Sequence, residues 1–317
     1  MNGISKTGGL LGRIQKANDP AVTKTGDKFL WFGMPGVGKS TSAAGAPNPL
    51  FVDYDRGIKQ LSVDRIPGPK TWVDAMSVFR DVATEKHDYK TLVIDTIDPL
   101  EELAVQHVCK VGRKESLGDF GYGDGYAALK NEWRAMLSVL DMVADRGMAV
   151  CLLAHSVVRQ TSDPQLGPYE VYTTGLQKGT WAVTARWCDM IGFCAFENAR
   201  IKDEKRSVYT GQRQLLTTAG SGYVAKNRWG LPRVLPLDWK ALDAAIKRFY
   251  DNAKPEDVIL RIRMTAKGTQ FEVPAEAFIA DAQGDVRRLL QVEDALKEKL
   301  AEVAKEAAEA SKAGATS

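Results

Sequence analysis

The sequence predicts an α/β protein built on a mostly parallel sheet covered by helices on both faces. Short, nearly uninterrupted apolar runs recur along the chain: KFLWFG, PLFVDYD, TLVIDTI, MAVCLLAHS and DMIGFCAFE. Such runs suit strands buried on both faces, and their alternation with helical stretches argues for parallel pairing. The loop GMPGVGKST, residues 33–41, follows the first run directly. A strand, a glycine-rich loop and a helix-compatible segment, in that order, form the context in which G-x-x-x-x-G-K-[ST] cradles phosphate.

The elements follow in order. Residues 1–27 are polar, glycine-bearing and mildly basic, and read as a flexible N-terminal extension. The core begins at Lys28 with the strand KFLWFG and extends to residue 252. The helix after the phosphate loop must be short, because APNP interrupts it and proline breaks helices. PLFVDYD is the second strand. TWVDAMSVFRDVATEK is a helix leading into TLVIDTI, and a long helix from Gly125 to Asp145 leads into MAVCLLAHS. GTWAVTARWC is a helix before DMIGFCAFE. RSVYTGQRQLLTTAG reads as a hairpin turning near Gly211, and the helix DWKALDAAIKRFYDN closes the core. Residues 253–317 are expected to form a hairpin, DVILRIRM and TQFEV around TAKG, followed by a charged helix. In that helix Leu289, Val292, Leu296, Leu300 and Val303 recur at helical spacing, which suits docking on its own domain or on another copy.

Composition sets few limits. The chain has 317 residues, 44% hydrophobic and 26% charged, ordinary for a globular protein with a substantial core. A net charge of +3 neither demands nor excludes a polyanionic partner, since a basic groove can hide in a neutral total. No apolar run approaches the roughly 18 residues a membrane span needs, and the start has no signal-peptide core. Cys109, Cys151, Cys188 and Cys194 lack C-x-x-C spacing, and His107 beside Cys109 completes no metal-ligand pattern. The expectation is buried, reduced thiols in a cytoplasmic protein with no membrane partner.

The candidate nucleotide cradle is Gly33, Pro35, Gly36, Val37, Gly38, Lys39, Ser40 and Thr41. Glycines at 36 and 38 let the backbone turn its N–H groups toward phosphate oxygens, helped by the start of the following helix. Lys39 supplies a point charge for the terminal phosphates, and Ser40 a hydroxyl for Mg²⁺. The guanine-reading N-K-x-D of GTPases is missing, so the expected ligands are ATP and Mg²⁺. No lid with clustered arginines, as in small-molecule kinases, follows. Asp95, ending TLVID, stands where a buried acid holds Mg²⁺ through water. An AAA+ protein would carry its second acid immediately after; here that residue is Thr96. The other location is the tip of the second strand, where FVDYD offers Asp53 and Asp55, and Asp55 is the better placed to orient the attacking water. His155, ending LLAHS, would face the same crevice and sense the terminal phosphate, or be an ordinary packed histidine.

Together these residues resemble the RecA-like ATPases, most closely the compact core-only relatives encoded by tailed bacteriophages for single-strand annealing and recombination. The resemblance covers Lys28 to Asp251 through GMPGVGKST, LFVDYD, TLVIDTID, CLLAHS and AKNRWGLP. It implies a RecA-like P-loop NTPase core, with Asp55 as the catalytic acid, usually a glutamate in bacterial recombinases. It likewise implies that Asp95 is the Mg²⁺-linked acid and that His155 occupies the switch position. Lys226 and Arg228 match a basic pair that reaches a neighbouring subunit's nucleotide, so ATP would bind between subunits of a filament or ring. In RecA-like proteins the loop after the His155 strand contacts DNA. Here SVVRQTSDPQLGPYEVYTTGLQKG carries Arg159, Gln160 and Lys178 with Tyr169 and Tyr172, able to pair with phosphates and stack on bases. GRKESLGDFGYGDGY, residues 112–126, resembles a second nucleic-acid loop, with Arg113 and Lys114 as contacts.

The leading expectation is an ATPase, stimulated by DNA, that binds and anneals single-stranded DNA beside copies of itself and, as an accessory, a single-strand binding protein. Two others stay open. A ring motor or helicase loader shares the fold, although the stretch before Lys28 has no room for a helicase N-terminal domain. A nucleotide-gated regulator would bind protein and ignore DNA.

Overall fold

A computed structural model describes residues 26–163, 167–200, 207–251 and 255–282, and part of the segment 289–303. The protein is mixed α/β, with a mostly parallel central sheet flanked by helices. Residues 1–25 of the expected N-terminal extension lie outside the described residues. Gly26 and Asp27 do not belong to a loose extension. The Gly26 N–H donates to the Ala144 carbonyl at 2.7 Å, and Asp27 accepts from the Val150 N–H at 2.9 Å.

The chain divides into two compact units, and the division falls inside two strands. The first unit takes in the chain up to Phe29, Pro47–Leu153 and Leu176–Cys188. The second takes in Leu30–Ala46, Ala154–Gly175 and the chain from Asp189 onward. Strands β1 (Lys28–Gly33) and β5 (Ala149–Asp163) contribute residues to both.

In the first unit β2 (Pro49–Asp53) pairs in parallel with β3 (Asp64–Pro67) on one side and β4 (Thr91–Asp95) on the other, and β4 pairs in parallel with β5. All five residues of β4 are buried, which explains its unbroken apolar sequence. Helices α2 (Trp72–Thr84), α3 (Ile97–Gly112), α4 (Asp124–Asp145) and α5 (Lys178–Trp187) complete it. The start of α2 is set by Thr71, whose hydroxyl accepts from the Asp74 N–H. Its Trp72, Ala75, Met76, Phe79, Val82 and Ala83 form the buried face. Trp72 stacks on Trp133 of α4 at 6.2 Å, and the Trp133 Nε1–H donates to Thr184 Oγ1 at 2.8 Å, tying α4 to α5.

The second unit holds α1 (Lys39–Ala43), which spans five residues, as the prolines of APNP require. Here β5 pairs antiparallel with β6 (Gly167–Thr174), β7 (Met190–Arg200) with β8 (Ser207–Leu216), and β8 with β9 (Val234–Pro236). The expected hairpin at Gly211 does not form. Gly211 has φ +84° but lies inside β8, within a bulge of that strand where residues 210–212 stand opposite the single residue Glu197 of β7. A single glycine marks a bulge as readily as a turn.

The expected C-terminal hairpin is also corrected. After α6 (Trp239–Asp251) come α7 (Pro255–Ala266) and α8 (Glu272–Ala282), both helices. Local alternation in LRIRM imitates a strand, yet Val258, Ile262 and Ala266, the buried residues of α7, follow helical spacing. Pro255 opens α7, and Gly268, with φ +74°, follows its end. Leu289 and Leu296 of the terminal stripe are buried with α7 and α8, Val292 and Leu300 pack against that cluster, and Val303 is exposed. The stripe therefore docks on its own chain.

Candidate functional site

In the second unit the phosphate loop leaves the buried end of β1 and turns twice through left-handed backbone, at Gly36 (φ +77°) and Gly38 (φ +104°). Nothing lies within 4 Å of the place where a Cβ on Gly36 would sit, so Gly36 is required by its backbone torsion and not by crowding. Lys39 is buried, and its ammonium donates to the carbonyls of Gly33 at 2.9 Å and Met34 at 3.1 Å. Those bonds hold the charge inside the loop. Val37 is fully buried as an anchor, and the Ser42 N–H donates to the Gly38 carbonyl at 2.9 Å, starting α1. Ser40 and Thr41 follow the lysine on that turn, Thr41 exposed and Pro35 exposed at the rim. These residues fit a polyphosphate: turned backbone, an enclosed ammonium, and a hydroxyl of the hard-oxygen type that Mg²⁺ takes. The Cys194 thiol, fully buried on β7, is pushed up to about 12 by that burial, the nearby Lys39 charge opposing the rise.

Five further expected residues share this unit: His155, Arg159, Gln160, Lys226 and Arg228. His155 is half-buried seven residues into β5, because the strand continues to Asp163 instead of ending at the histidine. Lys226 exchanges both backbone hydrogen bonds with Ile191, at 2.9 and 2.7 Å. Arg228 reaches Asp189 with Nη1 to Oδ1 at 2.8 Å while remaining nearly half exposed. The turn presenting this pair is held by Asn227, which donates to the Thr217 carbonyl and accepts from the Leu231 N–H. Trp229 and Leu231 are buried beneath it.

The segment after His155 is not a loop. It forms a two-stranded ribbon in which Val158 faces Tyr172, Arg159 faces Val171 and Gln160 faces Glu170. Because side chains alternate across a strand, Arg159 and Gln160 project from opposite faces. Arg159 donates to the Gly175 carbonyl at 3.1 Å, while Val158, Gln160 and Tyr172 lie exposed. Tyr172 stacks on Phe193 at 5.2 Å, and Phe193 stacks in turn on Tyr223 at 5.3 Å.

The first unit carries the acids. Asp95 is buried at the end of β4 and joined to Thr96 by a cis peptide bond. Asp53 faces Asp95 in the β2–β4 register and is buried, with Arg65 of β3 bonded to its Oδ2 at 2.7 Å. Asp55, two residues on, is exposed and accepts from the Thr96 hydroxyl at 3.3 Å. Asp53 is therefore neutralised within the fold, whereas Asp55 sits at the strand tip beside the residue that follows Asp95. Lys178 is exposed at the first position of α5, not on the ribbon with Arg159 and Gln160. The expected loop at 112–126 is largely structured. Arg113, with φ +53°, caps α3, and the Lys114 N–H donates to the Cys109 carbonyl at 2.9 Å. A 3₁₀ turn over Leu117–Phe120, held by Ser116 and Asp119, then leads to α4. Arg113 and Lys114 are both exposed.

One residue near the loop carries no motif. A Cβ built on Gly38 would lie 2.8 Å from Nη1 of Arg213, a residue of β8. Its only sequence signal is a cation in the polar run GQRQ. All four cysteines are buried thiols outside any disulfide, and among the described residues no cluster of three or more His, Cys, Asp or Glu could hold a metal. No described helix is long and apolar enough to cross a membrane.

A strand delivering a lysine-bearing glycine loop, in an α/β fold with a buried strand-end aspartate, defines a P-loop ATPase. The chain belongs to the AAA domain family, whose model matches residues 25–229. It is also 20% identical, over 129 residues, to the SPbeta prophage-derived uncharacterized protein YorG of Bacillus subtilis (strain 168). That match covers 39% of this chain and 39% of the relative's own length. The family match accords with a P-loop ATPase.

Proposed function

We propose that this P-loop ATPase binds single-stranded DNA in phage-type recombination, annealing strands while ATP turns over at subunit interfaces. The observation that carries the DNA reading is the ribbon after His155. Tyr172 is 40% exposed at the end of the Tyr172–Phe193–Tyr223 stack, with exposed Val158 directly opposite on the neighbouring strand. An exposed ring backed by two more is a rigid platform for a base, and stacking of this kind tolerates any sequence. Arg159, Gln160, Lys178, Arg113 and Lys114 are the candidate contacts to the strand.

In this reading Gly33–Thr41 hold the triphosphate of ATP, Ser40 and Asp95 serve its Mg²⁺, and Asp55 orients the attacking water. His155 senses the terminal phosphate. When bound, Mg²⁺ supplies charge neutralisation on the phosphate oxygens. Lys226 and Arg228 reach the nucleotide of an adjoining copy, which couples turnover to assembly. The Asp189–Arg228 pair supports this assignment, since it fixes the direction of a side chain that stays nearly half exposed.

The test is an ATPase assay with and without single-stranded DNA, followed by electron microscopy of the same mixtures. DNA-stimulated turnover, lost together with DNA affinity in Tyr172→Ala, upholds the reading. Rings that move along DNA would replace annealing with a motor or loader, and turnover indifferent to DNA would leave a nucleotide-gated regulator.

A further inference from the structure

We infer that Arg213 is a phosphate-binding residue of the nucleotide site, supplied in cis from β8. The inference rests on the reading of Gly33–Thr41 as the nucleotide loop. The guanidinium stands against Gly38, with Nη1, Cδ and Cζ at 2.8, 3.4 and 3.5 Å from the place where a Cβ would be. Gly38 and Arg213 thus fit each other. The glycine is required by its φ of +104°, and the space a side chain would occupy is taken by the arginine.

The strand is built to aim this side chain. The Arg213 backbone is held on one side by its pairing with Phe196 of β7, and on the other by the Leu237 N–H, which donates to its carbonyl at 3.1 Å. The β7–β8 register breaks immediately beyond that pair, between Phe196 and Asn198. Bulges beside functional sites re-aim the neighbouring side chains.

Its charge completes the argument. Arg213 is exposed and has no ion-pair or hydrogen-bond partner for its side chain among the described residues. The Lys39 ammonium on the same loop donates to the neutral carbonyls of Gly33 and Met34, which leave its charge in place. Two cations held against one glycine loop call for a polyanion, and a guanidinium fork matches phosphate oxygens bidentately. Arg213 would therefore grip a terminal phosphate from the same subunit, leaving Arg228 to act from the next.

The experiment measures equilibrium binding of ADP and of a non-hydrolysable ATP analogue to Arg213→Ala, Arg213→Lys and Lys39→Ala, and then ATPase activity of mixed variants. Arg213→Ala should weaken binding of the ATP analogue about tenfold to a hundredfold, the range of a lost charge-assisted contact, and Arg213→Lys should recover part of it. A mixture of Arg213→Ala with Lys39→Ala subunits should turn over ATP no faster than Arg213→Ala alone, because no subunit carries both groups. A mixture of Arg228→Ala with Lys39→Ala should regain activity at the mixed interfaces. Wild-type affinity in Arg213→Ala alongside a defective Lys39→Ala overturns the inference and leaves the loop assignment standing. Wild-type affinity in both removes the loop assignment itself. Restored turnover in the Arg213–Lys39 mixture overturns the assignment in cis.

Discussion

Glu293 lies at the centre of the C-terminal helical cluster, and its carboxylate makes the local stability depend on pH. The side chain is 2% exposed and takes Arg261 at 3.1 Å, Arg248 at 3.0 Å and Lys297 at 2.7 Å. Burial alone would raise its pKa, but hydrogen bonds from Arg261 and Lys297, with the Arg248 charge, pull it from 4.5 to about 2. A lowered carboxylate pKa means stabilisation that is complete above the unfolded value of 4.5 and lost as pH falls toward 2. At about 1.36 kcal/mol per unit the ceiling is about 3.4 kcal/mol. The three cations are 32–50% exposed, so solvent screening brings the expected contribution to about 1.5–2 kcal/mol. Glu293→Gln keeps the shape and removes the charge. Hydrogen exchange across α7, followed by mass spectrometry, should show that loss in the variant at pH 7, and a shrinking difference from wild type below pH 4. An equal difference at pH 7 and pH 3 would refute the electrostatic account.

Other expectations follow from single contacts. Arg228→Ala should leave nucleotide binding by isolated subunits near wild type while turnover in the assembly falls at least tenfold; normal hydrolysis by that mutant would end the interface proposal. Gly33→Ala would set a Cβ 2.3 Å from the Cys194 carbonyl oxygen, so thermal melts should show a loss of about 2 kcal/mol or more. Trp133→Phe removes the indole donor to Thr184 and part of the α4 packing, for about 1–2 kcal/mol in denaturant titrations. Cys194, buried and with its thiol pushed up to about 12, should resist thiol reagents until the chain unfolds; rapid labelling of the native protein would contradict that burial.

The apolar strands were legible because both their faces are buried, so nearly every residue in TLVID had to be hydrophobic. The same reasoning missed β3, whose DRIP is polar and proline-ended, as a strand at the end of the pairing order can be. Helix α3 went unread although Ile97, Leu100, Glu101, Ala104 and Val108 mark its buried face. Its acid is the reason it does not look apolar: Glu101 accepts from the Gln177 N–H and the Thr180 hydroxyl at the start of α5. The C-terminal pair α7 and α8 was misread because five residues of alternation fit a strand, while the pattern that decides runs over three turns of helix.

The sequence by itself determined the phosphate loop, its lysine and hydroxyl, the alternating α/β order and the strand-end acids. Those features rest on backbone torsions, short spacings and burial of contiguous residues, all of which are local in the chain. Only the tertiary structure decided that Arg65 claims Asp53, that Asp189 holds Arg228, and that Arg213 stands over Gly38 from about 175 positions away. An exposed arginine reads alike anywhere on a strand; strand pairing and a bulge in its own strand give it a place to point.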